Sequence, residues 1–241
     1  MDRKRYGKVL MRLDQFINED VKVISNDVDT TVNILNERCS YYIKLLKSNG
    51  IKIPFLRGFY TNIRDNYILA RKSVRQDRRS QGMFATEYKN LNNFLEEAGH
   101  VRRDKSVIFS SDYHRAVEFG IPHFMFPEGK FNYTWIYSGD INIPRLFHTP
   151  SDANSLKTFL EEYSLFKKHD FDVRELEKIN TYDNTSYSKI LKDVEKLFVT
   201  NKNIRECHIK KYEIWFNCKN FYFMLLKDNN TTEVIKRIFN V

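Results

Sequence analysis

The stretch SVIFSSDYHRAVEFG, residues 106–120, changes its hydrophobic period halfway along, and that change decides how the chain is interpreted. The first part is short and apolar, which predicts a β-strand from Ser106 to Phe109. The second part predicts a helix from Asp112 to Phe119, which Ser111 or Asp112 can cap and the following glycine can end. A pair of serines therefore stands where a strand ends and a helix begins.

The residues on both sides of this stretch alternate between helical and strand-like patterns, which predicts an α+β domain. Apolar residues recur at near-helical spacing in residues 27–47 and in residues 84–98. Runs of β-branched and aromatic residues predict strands in four places: 51–60, 123–137 on both sides of a Pro-Glu-Gly turn, 212–218 and 221–226. Only Lys219 and Asn220 separate the last two strands, which predicts a hairpin.

Two further segments have less regular patterns. Residues 61–82 carry five arginines and predict a long loop with short irregular elements; the arginines are Arg64, Arg71, Arg75, Arg78 and Arg79. Residues 150–200 predict mainly helix. The sequence contains no internal repeat and no linker of the kind that separates domains.

The composition predicts a folded and basic protein. Of its 241 residues, 41% are hydrophobic and 15% aromatic, enough to form a core. The net charge of +9 and the pI of about 9.3 favour a polyanionic partner, such as nucleic acid, an anionic cofactor or an acidic protein surface. The alternative is a lysine-rich composition typical of AT-rich genomes.

Several classes of protein are disfavoured. The three cysteines form no CxxC pair and have no accompanying histidine cluster, which argues against a disulfide framework and a structural metal and favours a reducing cytoplasm. No run approaches the roughly 18 apolar residues that span a bilayer, so no membrane association is predicted. The N-terminus is basic but lacks the apolar region of a secretory signal.

Three places in the sequence carry residues suited to binding an anion or to stabilising charge in a reaction. Arg57 lies inside an apolar strand, where a guanidinium can bind phosphate or carboxylate through two parallel hydrogen bonds. Ser110 and Ser111 precede a helix, whose first backbone N–H groups favour anions. Glu213 begins a late strand, from which a carboxylate can orient a hydroxyl and stabilise positive charge.

Each of these signals also has an ordinary structural explanation. Arg57 can be a solvated or ion-paired residue of an edge strand. The serines can simply cap the helix, and Glu213 can be the exposed residue of an alternating strand. Only their order along the chain favours a shared function.

That order resembles the ADP-ribosyltransferase superfamily, in its Arg–Ser–Glu branch. The family pattern is an apolar strand ending in arginine, a later strand ending in a Ser-Thr-Ser-like triplet before a short helix, and a glutamate that begins a strand near the C-terminus. This chain has FLRGF at 55–59, VIFSSDYHRAVEF at 107–119 and YEIWF at 212–216. The resemblance covers residues 51–226 and implies a split β-sandwich core with N-terminal and inserted helices.

The resemblance also implies roles for individual residues. Arg57 would hold a phosphate or ribose of NAD⁺, the serines would lie beside the nicotinamide ribose and steady the glutamate, and Glu213 would accept a hydrogen bond from the ribose 2′-hydroxyl. The implied catalytic residues are Glu213, Arg57 and Ser111, and the implied NAD⁺-binding residues are Arg57, Gly58, Ser110, Ser111, Arg79 and Phe119. NAD⁺ is expected as substrate, and no metal is expected.

Two positions depart from the family pattern: the first lies in the serine motif, and the second concerns the acceptor. Asp112 follows the second serine, and Lys211 stands where arginine-modifying members have a second acidic residue, two positions before the catalytic glutamate. An arginine acceptor is therefore in doubt, and another protein side chain or a nucleobase stays open. Arg102 and Arg103, with Arg75, Arg78 and Arg79, suit a nucleic-acid target, or alternatively a solvated loop or a pyrophosphate clamp.

The chain is also similar to phage proteins of this superfamily, which share segments like VRQDRRSQGM at 74–83 and FMFPEGKFNYTW at 124–135. Residues 11–20, MRLDQFINED, resemble the capsid-targeting leader of internal head proteins of T-even phages, with cleavage after Ile17-Asn18-Glu19. The predicted organisation is an N-terminal helical segment over 1–50, with a leader at 1–19, and a catalytic domain over 51–241. The expected locations are the host cytoplasm and the virion interior.

The function predicted from the sequence is a mono-ADP-ribosyltransferase that modifies a host protein or nucleic acid. The alternative is a basic nucleic-acid-binding or internal virion protein that retains the fold without catalysis. Steep salt dependence of nucleic-acid binding without turnover of NAD⁺ would distinguish this second class. The sequence assigns no oligomeric state.

Overall fold

An antiparallel sheet organises the part of the chain that the computed structural model describes, which is residues 21–60, 66–76, 85–137, 192 and 195–241. Its strands are β1 (Lys22–Ser25), β2 (Leu56–Phe59), β3 (Leu69–Ser73), β4 (Val107–Ser110), β5 (Ile121–Pro127), β6 (Asn132–Ile136), β7 (Phe198–Thr200), β8 (Glu213–Asn217) and β9 (Asn220–Leu225). The helices are α1 (Val28–Arg38), α2 (Ser40–Ser48), α3 (Ala85–Glu97), α4 (Tyr113–Glu118), α5 (Ile204–Lys210) and α6 (Asn229–Phe239). The predicted α+β class is therefore confirmed.

The sheet consists of two halves that meet at one residue pair. The strand order is β1-β3-β9-β5-β2-β4-β8-β6-β7. Between the adjacent strands β2 and β4, only Leu56 and Ser110 pair, whereas every other neighbouring pair of strands shares three or more residue pairs. We call β1-β3-β9-β5-β2 the five-strand half, β4-β8-β6-β7 the four-strand half, and the Leu56–Ser110 pair the junction.

Aromatic packing around Phe216 connects the two halves beneath the junction. Phe216, in β8, is fully buried, and its ring lies 6.0 Å from that of Phe55, just before β2, and 5.0 Å from that of Phe109, in β4. The ring of Tyr42, in α2, lies 5.9 Å away, and its hydroxyl accepts a 3.1 Å hydrogen bond from the backbone N–H of Phe55. The packing of Phe216 thereby connects β8 to β4 and to the chain just before β2.

Helix α4 lies directly on strand β2. A Cβ atom on Gly58 would lie 1.6 Å from the carbonyl oxygen of Ala116, so only glycine allows this approach. The cap of α4 is Asp112, whose carboxylate accepts a 2.9 Å hydrogen bond from the backbone N–H of His114. The strand and helix predicted at residues 106–120 are confirmed to within one residue at each end.

The predicted hairpin near the C-terminus is wrong. β8 pairs with β4 and β6 in the four-strand half, whereas β9 pairs with β3 and β5 in the five-strand half. A two-residue hairpin turn requires a positive φ at its first central residue, and neither Lys219 nor Asn220 has one. The chain crosses here between the two halves instead of reversing.

The predicted loop at residues 61–82 contains strand β3, which pairs with β1 and β9. Arg71 interrupts the apolar pattern of this strand, but Nη2 of its guanidinium lies 2.7 Å from Oε2 of Glu128. The ion pair makes an arginine acceptable within a sheet, and the sequence pattern contains no sign of it.

Other boundaries also differ from the prediction. The helix predicted at 27–47 is broken at Cys39 into α1 and α2, and β1 and α6 were not predicted. Helices α1 and α2 share one core with the sheet, so the described residues on either side of residue 50 pack together. The leader predicted at 1–19 and nearly all of the helical region predicted at 150–200 lie outside the described residues.

Within the described parts of the chain, no helix has the length and apolar character needed to cross a membrane.

Candidate active site

Arg57 lies at the junction between the two halves of the sheet. It is half-buried in β2, and its Nη1 donates a 3.1 Å hydrogen bond to the carbonyl oxygen of Ile108, in β4. The two strands pair only through Leu56 and Ser110, so the guanidinium adds a second link between them. A strand arginine thus has its charged end beside the serine-bearing strand.

Ser110 and Glu213 lie side by side on one face of the sheet, in the two strands that follow the strand of Arg57 in the sheet order. Ser110 is directly opposite Leu56 on one side and directly opposite Glu213 on the other. Opposed residues of antiparallel strands place their Cβ atoms about 4.5–5.5 Å apart on one face. Arg57 follows Leu56 and so leaves β2 toward the other face, with its guanidinium turned to β4.

The hydroxyls of the two serines bind backbone groups. Ser111 Oγ donates a 2.5 Å hydrogen bond to the carbonyl oxygen of His208, and Ser110 Oγ donates at 3.4 Å to that of Lys211. Ser110 Oγ also accepts a 3.0 Å hydrogen bond from the backbone N–H of Asp112. The serines therefore tie the β4–α4 connection to the end of α5, and neither donates to the carboxylate of Glu213.

His208 anchors the same end of α5 to the chain before β2. Its Nε2 lies 2.9 Å from the carbonyl oxygen of Ile53, and its ring packs edge-on against Phe55 with centroids 5.0 Å apart. Burial lowers the pKa of His208, although its hydrogen bond to Ile53 acts in the opposite direction. The segment that leads into Glu213 is thus fixed to both β2 and β4.

The carboxylate of Glu213 is held through one of its two oxygens. The indole Nε1 of Trp215 donates to Oε1 at 2.5 Å, and Nη2 of Arg103 donates to the same oxygen at 3.1 Å. The guanidinium of Arg103 lies 5.7 Å from the ring centroid of Trp215. None of the described residues donates to Oε2, and the side chain of Glu213 is 28% exposed. One oxygen is therefore fixed, and the other has no donor within the described part of the chain.

The adjacent arginines 102 and 103 have different partners. Arg102 donates to Asp104 at 2.7 Å and to Glu96 at 2.6 Å, and the hydrogen bond to Asp104 raises the pKa of Arg102. Arg103 binds Glu213. Both residues were interpreted from the sequence as contacts for nucleic acid, but in the structure each is paired with carboxylates of its own chain.

The other residues expected at the site have different surroundings. Gly58 lies against the backbone of α4, and its role in the structure is to allow α4 to pack closely on β2. Phe119, at the end of α4, is 66% exposed. Arg79 lies outside the described residues. Within the described ranges, no group of three or more His, Cys, Asp or Glu side chains is arranged to hold a metal ion.

Two residues at this site were missed by reasoning from sequence. Trp215 stands two positions after Glu213, so the period of a strand is a usable signal that both side chains share a face. Arg103 is 110 positions away from Glu213, and no local pattern connects them. The pairing of β4 with β8 brings them together.

Comparison with models of protein families, with curated proteins and with solved structures found no match to this chain.

The arrangement combines two groups that act on opposite charges. The second carboxylate oxygen of Glu213 has no donor among the described residues, and a partly buried carboxylate of this kind can accept a hydroxyl hydrogen bond and stabilise a developing positive charge. Arg57 provides a planar guanidinium of the kind that binds phosphate. Arg57 leaves its strand on the face opposite Ser110 and Glu213, so one substrate with a phosphate and a sugar would contact both groups only across the junction.

Proposed function

We propose that this protein is an NAD⁺-dependent mono-ADP-ribosyltransferase that cleaves NAD⁺ and transfers ADP-ribose to a host macromolecule. The observation that supports the proposal is that Arg57, Ser110 and Glu213 lie on three neighbouring strands where the two halves of the sheet meet. These residues follow one another along the chain in the order of the Arg–Ser–Glu pattern. The division of the sheet into two halves agrees with a split β-sandwich.

In the proposed reaction, Oε2 of Glu213 accepts a hydrogen bond from the 2′-hydroxyl of the nicotinamide ribose. The bond between the anomeric carbon and the nicotinamide nitrogen breaks, and nicotinamide leaves as a neutral molecule. The negative charge of Glu213 stabilises the oxocarbenium-like ribose while this happens. A nucleophile of the acceptor then forms a bond to the anomeric carbon and loses its proton.

Arg57 is proposed to bind the phosphates of NAD⁺. Its guanidinium has five N–H donors in one plane, and the hydrogen bond to Ile108 fixes the orientation of that plane. Gly58 would contribute indirectly, because it allows α4 to lie against the strand that carries Arg57. The serines are proposed to shape the ribose end of the site.

The acceptor is proposed to be a host protein or nucleic acid. Lys211, two positions before Glu213, supplies no second carboxylate, and its carbonyl oxygen accepts a hydrogen bond from Ser110. Its backbone is left-handed, with φ of 60°, which is uncommon for a residue other than glycine. The proposed place of action is the host cytoplasm, with delivery inside the virion.

The test is incubation of the purified protein with labelled NAD⁺, with and without bacterial lysate. Free nicotinamide and labelled macromolecules are expected, and protease or nuclease digestion of the product identifies the class of acceptor. Glu213→Gln, which keeps the shape but removes the charge, is expected to reduce nicotinamide release by about 100-fold or more. The matched control is Glu118→Gln, which removes an exposed carboxylate from α4. Equal activity of the two variants would contradict the assignment of Glu213.

The requirement for lysate distinguishes transfer from simple hydrolysis. A transferase labels a component of the lysate, whereas a hydrolase releases nicotinamide and free ADP-ribose at the same rate without lysate. Salt-dependent binding of DNA or RNA with no nicotinamide release would favour the alternative of a non-catalytic basic protein.

A further inference from the structure

We propose that Arg103 is a positioning residue that, together with Trp215, aims the carboxylate of Glu213 at the substrate. The inference rests on the proposed function, because it assigns a role in the same site. It adds a residue from the α3–β4 connection to a site otherwise formed by β2, β4 and β8.

The geometry around Glu213 carries the argument. Nη2 of Arg103 lies 3.1 Å from Oε1 of Glu213, and Nε1 of Trp215 lies 2.5 Å from the same oxygen. Two donors from different directions remove the rotational freedom of the carboxyl group. The guanidinium is itself confined because it lies against the Trp215 ring. Carboxylate, indole and guanidinium therefore restrain one another.

The carboxylate oxygen that Arg103 binds distinguishes a positioning role of Arg103 from an inhibitory one. A guanidinium that blocked Glu213 would bind both carboxylate oxygens in a bidentate arrangement. Here both donors use Oε1, and none of the described residues donates to Oε2. The open oxygen is the one available to a ribose hydroxyl. The contact therefore prepares the carboxylate for a ligand and does not replace the ligand.

The backbone around Arg103 does not depend on its side chain. The N–H of Val101 donates to Oγ1 of Thr134 at 2.9 Å, and that of Asp104 donates to Oδ1 of Asn92 at 3.0 Å. The carbonyl oxygen of Arg103 accepts a 3.2 Å hydrogen bond from Oγ of Ser106. A substitution at residue 103 thus leaves the connection anchored, and its main consequence is at Glu213.

Arg102 provides a matched control. It is the neighbouring arginine and also forms ion pairs, but with Glu96 and Asp104 and not with the candidate catalytic carboxylate. Arg102→Gln therefore removes an equivalent positive charge and local ion pairs without touching Glu213. Arg103→Lys keeps the charge but offers a single donor point in place of a planar guanidinium.

The experiment measures nicotinamide release by wild type, Arg103→Gln, Arg103→Lys and Arg102→Gln, with thermal unfolding of each protein. We expect Arg103→Gln to lower kcat by about tenfold or more, with KM changed by less than about threefold, because a misdirected carboxylate affects the transition state more than NAD⁺ binding. Arg103→Lys is expected to recover part of the loss, and Arg102→Gln to keep the wild-type kcat.

The outcomes separate this inference from the proposed function. If wild type releases nicotinamide and Arg103→Gln matches Arg102→Gln in kcat, the positioning role is wrong while the function stands. A rise in kcat for Arg103→Gln would show an inhibitory contact and would also overturn it. If wild type releases no nicotinamide, the proposed function fails and the role of Arg103 fails with it.

Discussion

The two halves of the sheet each contain an ionisable side chain, and these two side chains differ in exposure and in hydrogen bonding. In the five-strand half, His123 is 1% exposed and both ring nitrogens have partners, the carbonyl oxygen of Ile121 at 2.7 Å and the hydroxyl of Tyr67 at 3.2 Å. In the four-strand half, Glu213 is partly exposed and only one carboxylate oxygen has donors among the described residues.

The difference distinguishes a histidine that stabilises the fold from a glutamate that is a candidate for catalysis. A buried polar group whose hydrogen bonds are all made stabilises one structure and has little capacity left for a ligand. An ionised carboxylate that is held by one oxygen keeps capacity for a substrate without losing its orientation. In this interpretation His123 stabilises the strand next to Arg57, and Glu213 is the candidate catalytic residue.

The largest expected effect comes from breaking the packing that joins the two halves. Phe216→Ala removes a fully buried ring in contact with Phe55 and Phe109, which belong to opposite halves. The free energy of unfolding is expected to fall by about 3–5 kcal/mol, from the loss of transfer free energy and the cavity left behind. Denaturant unfolding measures the change, and a loss below about 1 kcal/mol would show that the halves do not depend on this contact.

A second prediction concerns the buried histidine of the five-strand half. Burial lowers the pKa of His123 from 6.5 to about 4, although its hydrogen bond to Ile121 acts in the opposite direction. The unfolded chain therefore binds a proton near pH 6.5 that the folded chain does not bind until about pH 4. The stability from the neutral ring is complete above that range and is lost as the pH falls through it, by roughly 3 kcal/mol.

Unfolding measured between pH 7 and pH 4 tests this prediction. His123→Gln is expected to lose stability less steeply than wild type as the pH falls, while His114→Gln, at an exposed position, is expected to follow wild type. His100 and His208, whose pKa values burial also lowers, contribute in the same direction in all three proteins. Identical slopes for wild type and His123→Gln would show that folding does not lower the pKa of His123.

A smaller loss of stability is expected when the ion pair between Arg71, in β3, and Glu128 is broken. Arg71 donates to Oε2 of Glu128 at 2.7 Å, and the hydroxyl of Tyr222 donates to Oε1 at 3.3 Å. Arg71→Gln leaves a partly buried carboxylate without its cation and is expected to cost about 1–3 kcal/mol at neutral pH. Glu128→Gln and the double variant complete a cycle that isolates the pair, and an interaction energy near zero would contradict its role.

The stabilisation from the Arg71–Glu128 pair depends on pH, and the pKa of Glu128 sets the direction of this dependence. Burial would raise the pKa of Glu128, but the hydrogen bonds and charge of Arg71 outweigh it and lower the pKa below 4.5. The stabilisation is therefore present above pH 4.5 and is lost as the pH falls through the lowered pKa. The difference between wild type and Arg71→Gln is expected to shrink in that acidic range.

Local patterns predicted the elements that carry the candidate site. The change of period at residues 106–120 identified β4 and α4 because burial alternates every second residue in a strand and about every 3.6 residues in a helix. The apolar runs around Arg57 and Glu213 likewise correspond to β2 and β8. β3 has a charged pattern and was missed because its stability comes from partners elsewhere in the chain. α6 was overlooked, although its apolar residues recur at helical spacing after the cap Asp228.

The sequence by itself determined the α+β class and the order in which an arginine, a serine pair and a glutamate occur along the chain. Only the tertiary structure decided that β8 and β9 separate into different halves and that Arg103 binds Glu213. The physical reason is the separation along the chain over which each kind of interaction acts. Backbone periodicity and helix capping act over a few neighbouring residues, whereas strand pairing and ion pairing join residues about a hundred positions apart, through contacts that form only when the whole sheet is assembled.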